Sequence, residues 1–324
     1  MNKILVTGAS GFIGKRLLEK LIESSGGSIR VLGRKENPNW AATGVEFIKG
    51  DITDVTSVEK AVRGVDFVYH LAGLIAYKAS ERQKMEDINV GGTKNIGEAC
   101  VKYGVKKLVY MSSVCAIGAS ETPQALDENS EYTIGKYNLG YFETKRKSEI
   151  ELKKLIGEKG LDAVFVNPST VYGKGDVEKG SRSAQVKVAQ GRFKFYAPGG
   201  VSIADLDSVV AATLKAREVG RTGERYILSG DNITIKQLFE MIAAEAGVEA
   251  PKIRLPRSVL MALGHIGDFA TSLGLKGGFS LENAISSSLF HWFNHDKAKR
   301  ELGYNPLPAR EAIKHSVQYF LQNK

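Results

Sequence analysis

Short apolar runs alternate, along the first half of the chain, with stretches whose apolar residues recur every three or four positions. The runs predict strands at Lys3 to Thr7, Ile29 to Leu32, Val45 to Ile48, Val65 to Leu71, Leu108 to Met111 and Ala163 to Val166. The periodic stretches predict helices at about Gly11 to Ser24, Val55 to Val62, Met85 to Tyr103 and Leu139 to Ile156. Short buried strands alternating with helices make βαβ units, hence a parallel sheet covered on both faces. The expectation is an α/β fold: a doubly wound Rossmann sheet of about six or seven strands with right-handed crossovers.

After Asn167 the pattern changes. A loop rich in Gly, Lys and Ser, residues 173–183, leads to predicted helices at Ala184 to Gly191 and near 207–219 and 234–246. Phe193 to Tyr196 is a short apolar run before the turn Pro198-Gly199-Gly200. This reads as a smaller C-terminal substrate-binding lobe, so residues 1–170 are expected to form the dinucleotide-binding domain. Residues 171–324 form mainly the lobe, with returns to the main sheet. Val259 to Leu275 is the most apolar later stretch, but Gly264, His265, Gly267, Asp268 and Gly274 interrupt it. It predicts a packed amphipathic helix rather than a membrane span.

With 324 residues, at roughly 150 per domain, about two domains fit. Apolar residues make up 43% and charged residues 25%, which excludes disordered and fibrous classes. Two cysteines, Cys100 and Cys115, argue against a disulfide scaffold and for a reducing compartment. Nothing at the N-terminus reads as a targeting signal, so a soluble, cytoplasmic protein is expected. The net charge of +9 favours anionic ligands and permits contact with nucleic acid or a membrane surface. The basic residues are scattered, however, and the densest cluster, Lys145-Arg146-Lys147, is interleaved with acids, as on a solvated helix face. No nucleic-acid partner is expected.

The candidate chemistry begins at Thr7-Gly8-Ala9-Ser10-Gly11-Phe12-Ile13-Gly14, between the first strand and the first helix. A pyrophosphate needs backbone N–H groups at a helix N-terminus and no side chain in the way. Glycines 8, 11 and 14 would supply the tight turn, the close approach and the helix–sheet contact. After the second strand comes Gly33-Arg34-Lys35, with no acid before Glu36. An acid there would select NAD; Arg34 suits the 2′-phosphate of NADP. NADP is therefore expected, with NAD the other possibility. Asp51 and Ile52, after the third strand, are placed for the adenine, and His70, Leu71, Ala72 and Gly73 should run along the cofactor.

Tyr141 and Lys145 lie four apart on a predicted helix and share a face. Ser112 and Ser113 end a strand at the carboxyl edge where such sheets bind ligands. Carbonyl reduction needs a proton donor. A tyrosine at pKa ~10 is poorly matched to neutrality unless an ammonium lowers it. Tyr137, one turn earlier, is the nearest substitute. The four histidines at 265, 291, 295 and 315 show no metal-ligand spacing. Cys115 can line a pocket but has no evident base, and His70 reads as structural.

Together these stretches resemble an extended short-chain dehydrogenase/reductase of the NAD-dependent epimerase/dehydratase type, most similar to its dihydroflavonol-4-reductase-like branch. Asn89 to Thr93, Asn167 to Gly173 and Asp296 to Pro306 add to the likeness. The resemblance implies Ser113, Tyr141 and Lys145 as the catalytic triad. It also implies that Pro168, Ser169 and Val171 border the nicotinamide. A homodimer through the helices near 85–103 and 139–156 is implied too, with Leu139, Phe142, Ile150 and Leu152 supplying apolar surface.

Three departures bear on the substrate. Ile117 precedes Gly118 where nucleotide-sugar members commonly carry tyrosine. Val114, Cys115 and Ala116 stand where dehydratases keep two acids. No arginine shortly precedes Ala204 to Asp207, so a diphosphate would have to find Lys187, Arg192 or Lys194. The resulting expectation is an NADP-preferring oxidoreductase (EC 1.1.1 type) acting on a carbonyl or alcohol of low polarity. The alternatives are a nucleotide-sugar 4-epimerase with retained NAD and a non-catalytic cofactor-binding protein. The intact Ser–Tyr–Lys set argues against the last.

Overall fold

The computed structural model describes residues 2–24, 28–176, 182–275 and 279–323. Seven parallel strands form the main sheet, in the order Arg225–Leu228, Ala163–Pro168, Lys107–Met111, Phe67–His70, Lys3–Thr7, Ser28–Gly33, Glu46–Lys49. The order reverses between Lys3–Thr7 and Phe67–His70, which creates a crevice at the strands' carboxyl ends.

The strands alternate between two cores. Ile4, Val6, Val109, Val164 and Val166 face one layer of helices, and Leu5, Leu108, Tyr110, Ala163 and Phe165 face the other. Both faces are dry, so the strands read as unbroken apolar runs. Helix boundaries follow local chemistry. Asp54 caps Val55–Val62 by accepting from Thr56 N and Ser57 N at 3.1 Å each. Gly160, with φ 68°, ends Gly140–Lys159.

The helix expected from Met85 to Tyr103 starts earlier and is not uniform. Arg82–Glu86 and Gly92–Lys102 are joined by a wide π-type turn, Asp87–Gly91. Such turns arise where one residue must be re-aimed. Here the turn holds Asn89, which is 1% exposed.

The second sheet is built around Gly200–Asp205, paired with Asp231–Thr234, Phe290–Phe293 and Thr170–Tyr172. Ala125–Leu126, from the first half, joins its edge. In exchange, Leu206–Val219 and Arg225–Leu228 return to the main sheet and its core. Of the loop at 173–183, residues 177–181 lie outside the described residues.

Two expectations change. The apolar surplus meant to join two copies is used within the chain. Leu139, Phe142 and Leu152 are buried, and only Ile150 of the four stays exposed. The helix Arg257–Ser272 forms, but it is not packed as expected: it buries only Leu260 and Gly264 and leaves Val259, Leu263, Ile266 and Phe269 exposed. No helix among the described residues is long and apolar enough to cross a membrane.

Candidate active site

The glycine cradle occupies the crevice. Gly8 has φ +73°, and a Cβ there would stand 2.6 Å from Ala72 N and Leu71 C. A Cβ on Gly14 would stand 2.1 Å from the Gly8 carbonyl. The helix can therefore approach the first strand only through glycine. A Cβ on Gly11 would meet the Gly8 carbonyl alone, at 3.2 Å, so its other side is open. The helix Phe12–Ser24 has no acid in its first turn, so no carboxylate there repels an anion from its N-terminus.

Arg34 and Lys35 are exposed directly after Gly33, and no ion pair among the described residues holds Arg34. Asp51 accepts from Thr53 N at 3.0 Å and from its hydroxyl at 2.9 Å. Ile52 is buried against Gly92, where a Cβ would stand 2.6 Å from its side chain. Gly73 lies beside Lys145, and Leu74 is pinned by Asn89, which accepts from Leu74 N at 2.7 Å and donates to Leu74 O at 2.9 Å. Asn89 also donates to Thr144 Oγ1 at 3.0 Å, tying this loop to the helix that carries Tyr141.

His70 is fully buried between Thr7 Oγ1 (2.7 Å) and Thr93 Oγ1 (3.0 Å). Burial holds its pKa down at about 3. An unfolded imidazole takes a proton near 6.5. Between these values the unfolded chain binds more protons, so stability falls as pH falls, by up to about 1.4 kcal/mol per pH unit from this group. His291 and His295, also held low by burial, act in the same direction. The gap between urea midpoints at neutral and mildly acidic pH should therefore narrow in His70→Gln, with His291 and His295 keeping the remainder; an unchanged pH dependence would contradict the assignment.

The two serines ending Lys107–Met111 have different partners. Ser112 Oγ donates to Glu149 Oε1 at 2.5 Å. That carboxylate is wholly buried and also accepts from Asn167 Nδ2 (2.7 Å) and Arg225 Nε (2.5 Å). Ser113, in extended conformation, accepts from Cys115 N at 3.2 Å, and its hydroxyl favours the ionised form of the Tyr141 phenol by less than burial disfavours it. Lys145, 5% exposed, donates to Met111 O at 2.8 Å and Tyr110 Oη at 3.3 Å.

The expected lowering of Tyr141 is not found. Burial pushes it well above 10, and Cys115, Tyr110 and Tyr77 push the same way. The Lys145 ammonium is directed at the Met111 carbonyl instead. Tyr137 is also not the nearest substitute. It belongs to the separate turn Thr133–Tyr137, cut from the catalytic helix by Asn138 at φ 46°, and its hydroxyl is held by Glu121 and Arg257. Tyr110 and Tyr77, the latter pushed up to about 12 by burial, both act electrostatically on Tyr141, and Tyr137 does not figure among its neighbours there. Burial also raises Cys115 to about 11, so it is a thiol at neutral pH.

Sequence reasoning did not assign roles to Glu149, Asn89 or Glu282. Glu282 reaches from the lobe to accept from Gly140 N at 3.2 Å and from Arg82 at 2.6 Å, capping the helix that carries Tyr141. Among the described residues no cluster of His, Cys, Asp and Glu could hold a metal. Two buried oxygens, Ser169 Oγ and Asn167 Oδ1, have no partner. They stand at the carboxyl end of the strand Ala163–Pro168, beside the strand that ends at Ser112 and Ser113 and on the same sheet edge as the cradle, so the residues present fit a bound dinucleotide.

Residues 4–193 match the family model of the NAD-dependent epimerase/dehydratase family. The crystal structure of gox2253 superposes with a TM-score of 0.86 at 33% identity, over 100% of this chain and 99% of that one. The chain is 29% identical to sterol demethylase protein B of Methylococcus capsulatus, over 98% of this chain and 97% of that protein. It is 29% identical to 2-alkyl-3-oxoalkanoate reductase of Stenotrophomonas maltophilia, over 94% of each.

Proposed function

The chain belongs to the NAD-dependent epimerase/dehydratase family, and from that premise we propose an NADP-preferring short-chain dehydrogenase/reductase acting on a ketone or secondary alcohol of low polarity. The observation that carries this reading is the division of labour between the serines. Glu149 engages the Ser112 hydroxyl, and the Ser113 hydroxyl, which among the described residues accepts only from Cys115 N, stays free to donate to a substrate and acts on the Tyr141 phenol.

Bound NADPH supplies the hydride. The N–H groups of residues Gly8 to Gly14 would hold its pyrophosphate, and Arg34 its 2′-phosphate. Asp51 and Ile52 would border the adenine. Leu71, Ala72 and Gly73 would follow the middle of the cofactor, and Pro168, Ser169 and Val171 the nicotinamide. Ser113 donates a hydrogen bond to the substrate oxygen, and Tyr141 gives that oxygen its proton. Lys145, with an ammonium fixed beside Gly73, is placed to bind ribose hydroxyls.

Val114, Cys115 and Ala116 offer no carboxylate for eliminating water. Arg182, a buried cation of the lobe, is occupied by Val171 O at 2.5 Å and by Asp176. The cations the sequence offered for a diphosphate, Lys187, Arg192 and Lys194, are all exposed. These features favour an apolar ketone over a nucleotide sugar, as do relatives named for a 3-oxoalkanoate and a sterol.

Arg34→Ala tests the cofactor preference. It should weaken NADPH by about 10- to 150-fold, the worth of a charge-assisted contact, and leave NADH unchanged. Equal affinity of the unaltered protein for NADH and NADPH would remove the NADP assignment.

A further inference from the structure

The helix Arg257–Ser272 has three faces. Its packed face combines the buried Leu260 with the small residues Gly264 and Gly267. A Cβ on Gly264 would stand 2.8 Å from Leu281 Cα, and one on Gly267 1.9 Å from Phe279 O. This side lies against the helix Leu281–Ser288. A second face carries Arg257, His265, Asp268 and Ser272, all in solvent except the helix end, where Arg257 donates to Tyr137. On the third, Val259, Leu263, Ile266, Phe269 and Leu273 recur every three or four residues, and Leu275 follows. These six are 42 to 66% exposed. An apolar stripe this wide normally faces a core; this one faces away from it.

Six large apolar side chains at 42 to 66% exposure present a patch on the order of several hundred Å². That matches the largest apolar patches of monomers, about 300–600 Å², which are usually functional. It falls short of the about 800 Å² per partner that a stable protein interface buries. The segment just before the helix adds charge. Ile253–Arg254 pairs with Phe195–Tyr196, and Phe195 and Ile253 are also exposed. Arg192, Lys194, Lys252 and Arg254 stand exposed around them, and only Lys252 is in an ion pair among the described residues, with Glu249.

We propose that the outer stripe of Arg257–Ser272, together with the basic ribbon before it, docks on an anionic lipid bilayer. An apolar stripe flanked by a polar face and unpaired cations suits a helix lying in the plane of the membrane interface. The side chains enter the acyl boundary and the cations meet the headgroups. The net charge of +9 draws the whole chain the same way. The proposal does not depend on which substrate is reduced.

Sedimentation of the full chain with vesicles tests it. Binding should be strong to equal parts phosphatidylglycerol and phosphatidylcholine, weak to phosphatidylcholine alone, and reduced by salt. A triple variant, Ile266→Ser, Phe269→Ser and Leu273→Ser, should lose affinity by on the order of a hundredfold. Arg192→Gln with Arg254→Gln should lose the preference for anionic vesicles. Phe269→Trp provides a readout that removes no apolar surface: its emission should shift to the blue on anionic vesicles. No binding by the full chain, undiminished binding by a folded triple variant, or an unshifted Phe269→Trp spectrum would overturn the proposal. So would a dimer that the triple variant splits while vesicles bind neither form.

Discussion

Tyr141→Phe should lower turnover of ketone reduction by about 10²–10⁴-fold, the usual contribution of a positioned acid, while NADPH affinity is kept. The substitution removes one hydroxyl and no packing. Because burial pushes Tyr141 well above 10, it remains a neutral phenol, with a proton to give, throughout the neutral and mildly alkaline range. The kcat/KM for reduction should therefore not fall between about pH 7 and 9 through titration of Tyr141. Ser113→Ala should cost less, through loss of one hydrogen bond to the developing oxyanion. Steady-state rates and NADPH titrations on the same preparations check both statements. Full activity in Tyr141→Phe would transfer the role to another donor, with Tyr110 and Tyr77 the phenols that act electrostatically on Tyr141.

Glu149→Leu should be the most damaging change to stability near the site. The Glu149 carboxylate is wholly buried and takes hydrogen bonds from Ser112, Asn167 and Arg225. Removing it leaves two buried donors and a guanidinium without their acceptor. Breaking a buried pair from one side costs about 3–5 kcal/mol. At about 2–4 °C per kcal/mol for a domain approaching this size, the melting temperature should drop by roughly 6–20 °C. Differential scanning calorimetry with and without NADPH measures it. A shift within a degree or two would mean that this network does not hold the two strand ends.

The strands and the cradle were legible because their causes are local. Ile4-Leu5-Val6 is apolar at every position because both sheet faces are covered. Gly8 and Gly14 are glycines because backbone stands where a Cβ would go. Glu149 was not legible. It sits in a run of charged helix residues, and its partners lie 37 and 76 residues away at Ser112 and Arg225. Glu282, 142 residues from the Gly140 it caps, was hidden for the same reason. The spacing of Tyr141 and Lys145 put both on one helix but could not show where the ammonium points, so burial rather than Lys145 sets the phenol. The stripe from Val259 to Leu273 has the periodicity of a packed helix. Periodicity marks an apolar face but not what covers it, and here Leu260 with glycines 264 and 267 makes the packed side.

The central claim is net redox chemistry on a carbonyl. The most direct measurement follows NADPH absorbance and product together, offering the purified chain apolar 3-oxo and steroid ketones beside UDP-sugars. NADPH should be consumed one for one with alcohol formed from an apolar ketone, and the UDP-sugars should be returned unchanged. Inversion at C4 of a UDP-sugar, with NAD retained by the protein and no NADPH consumed, would contradict the account.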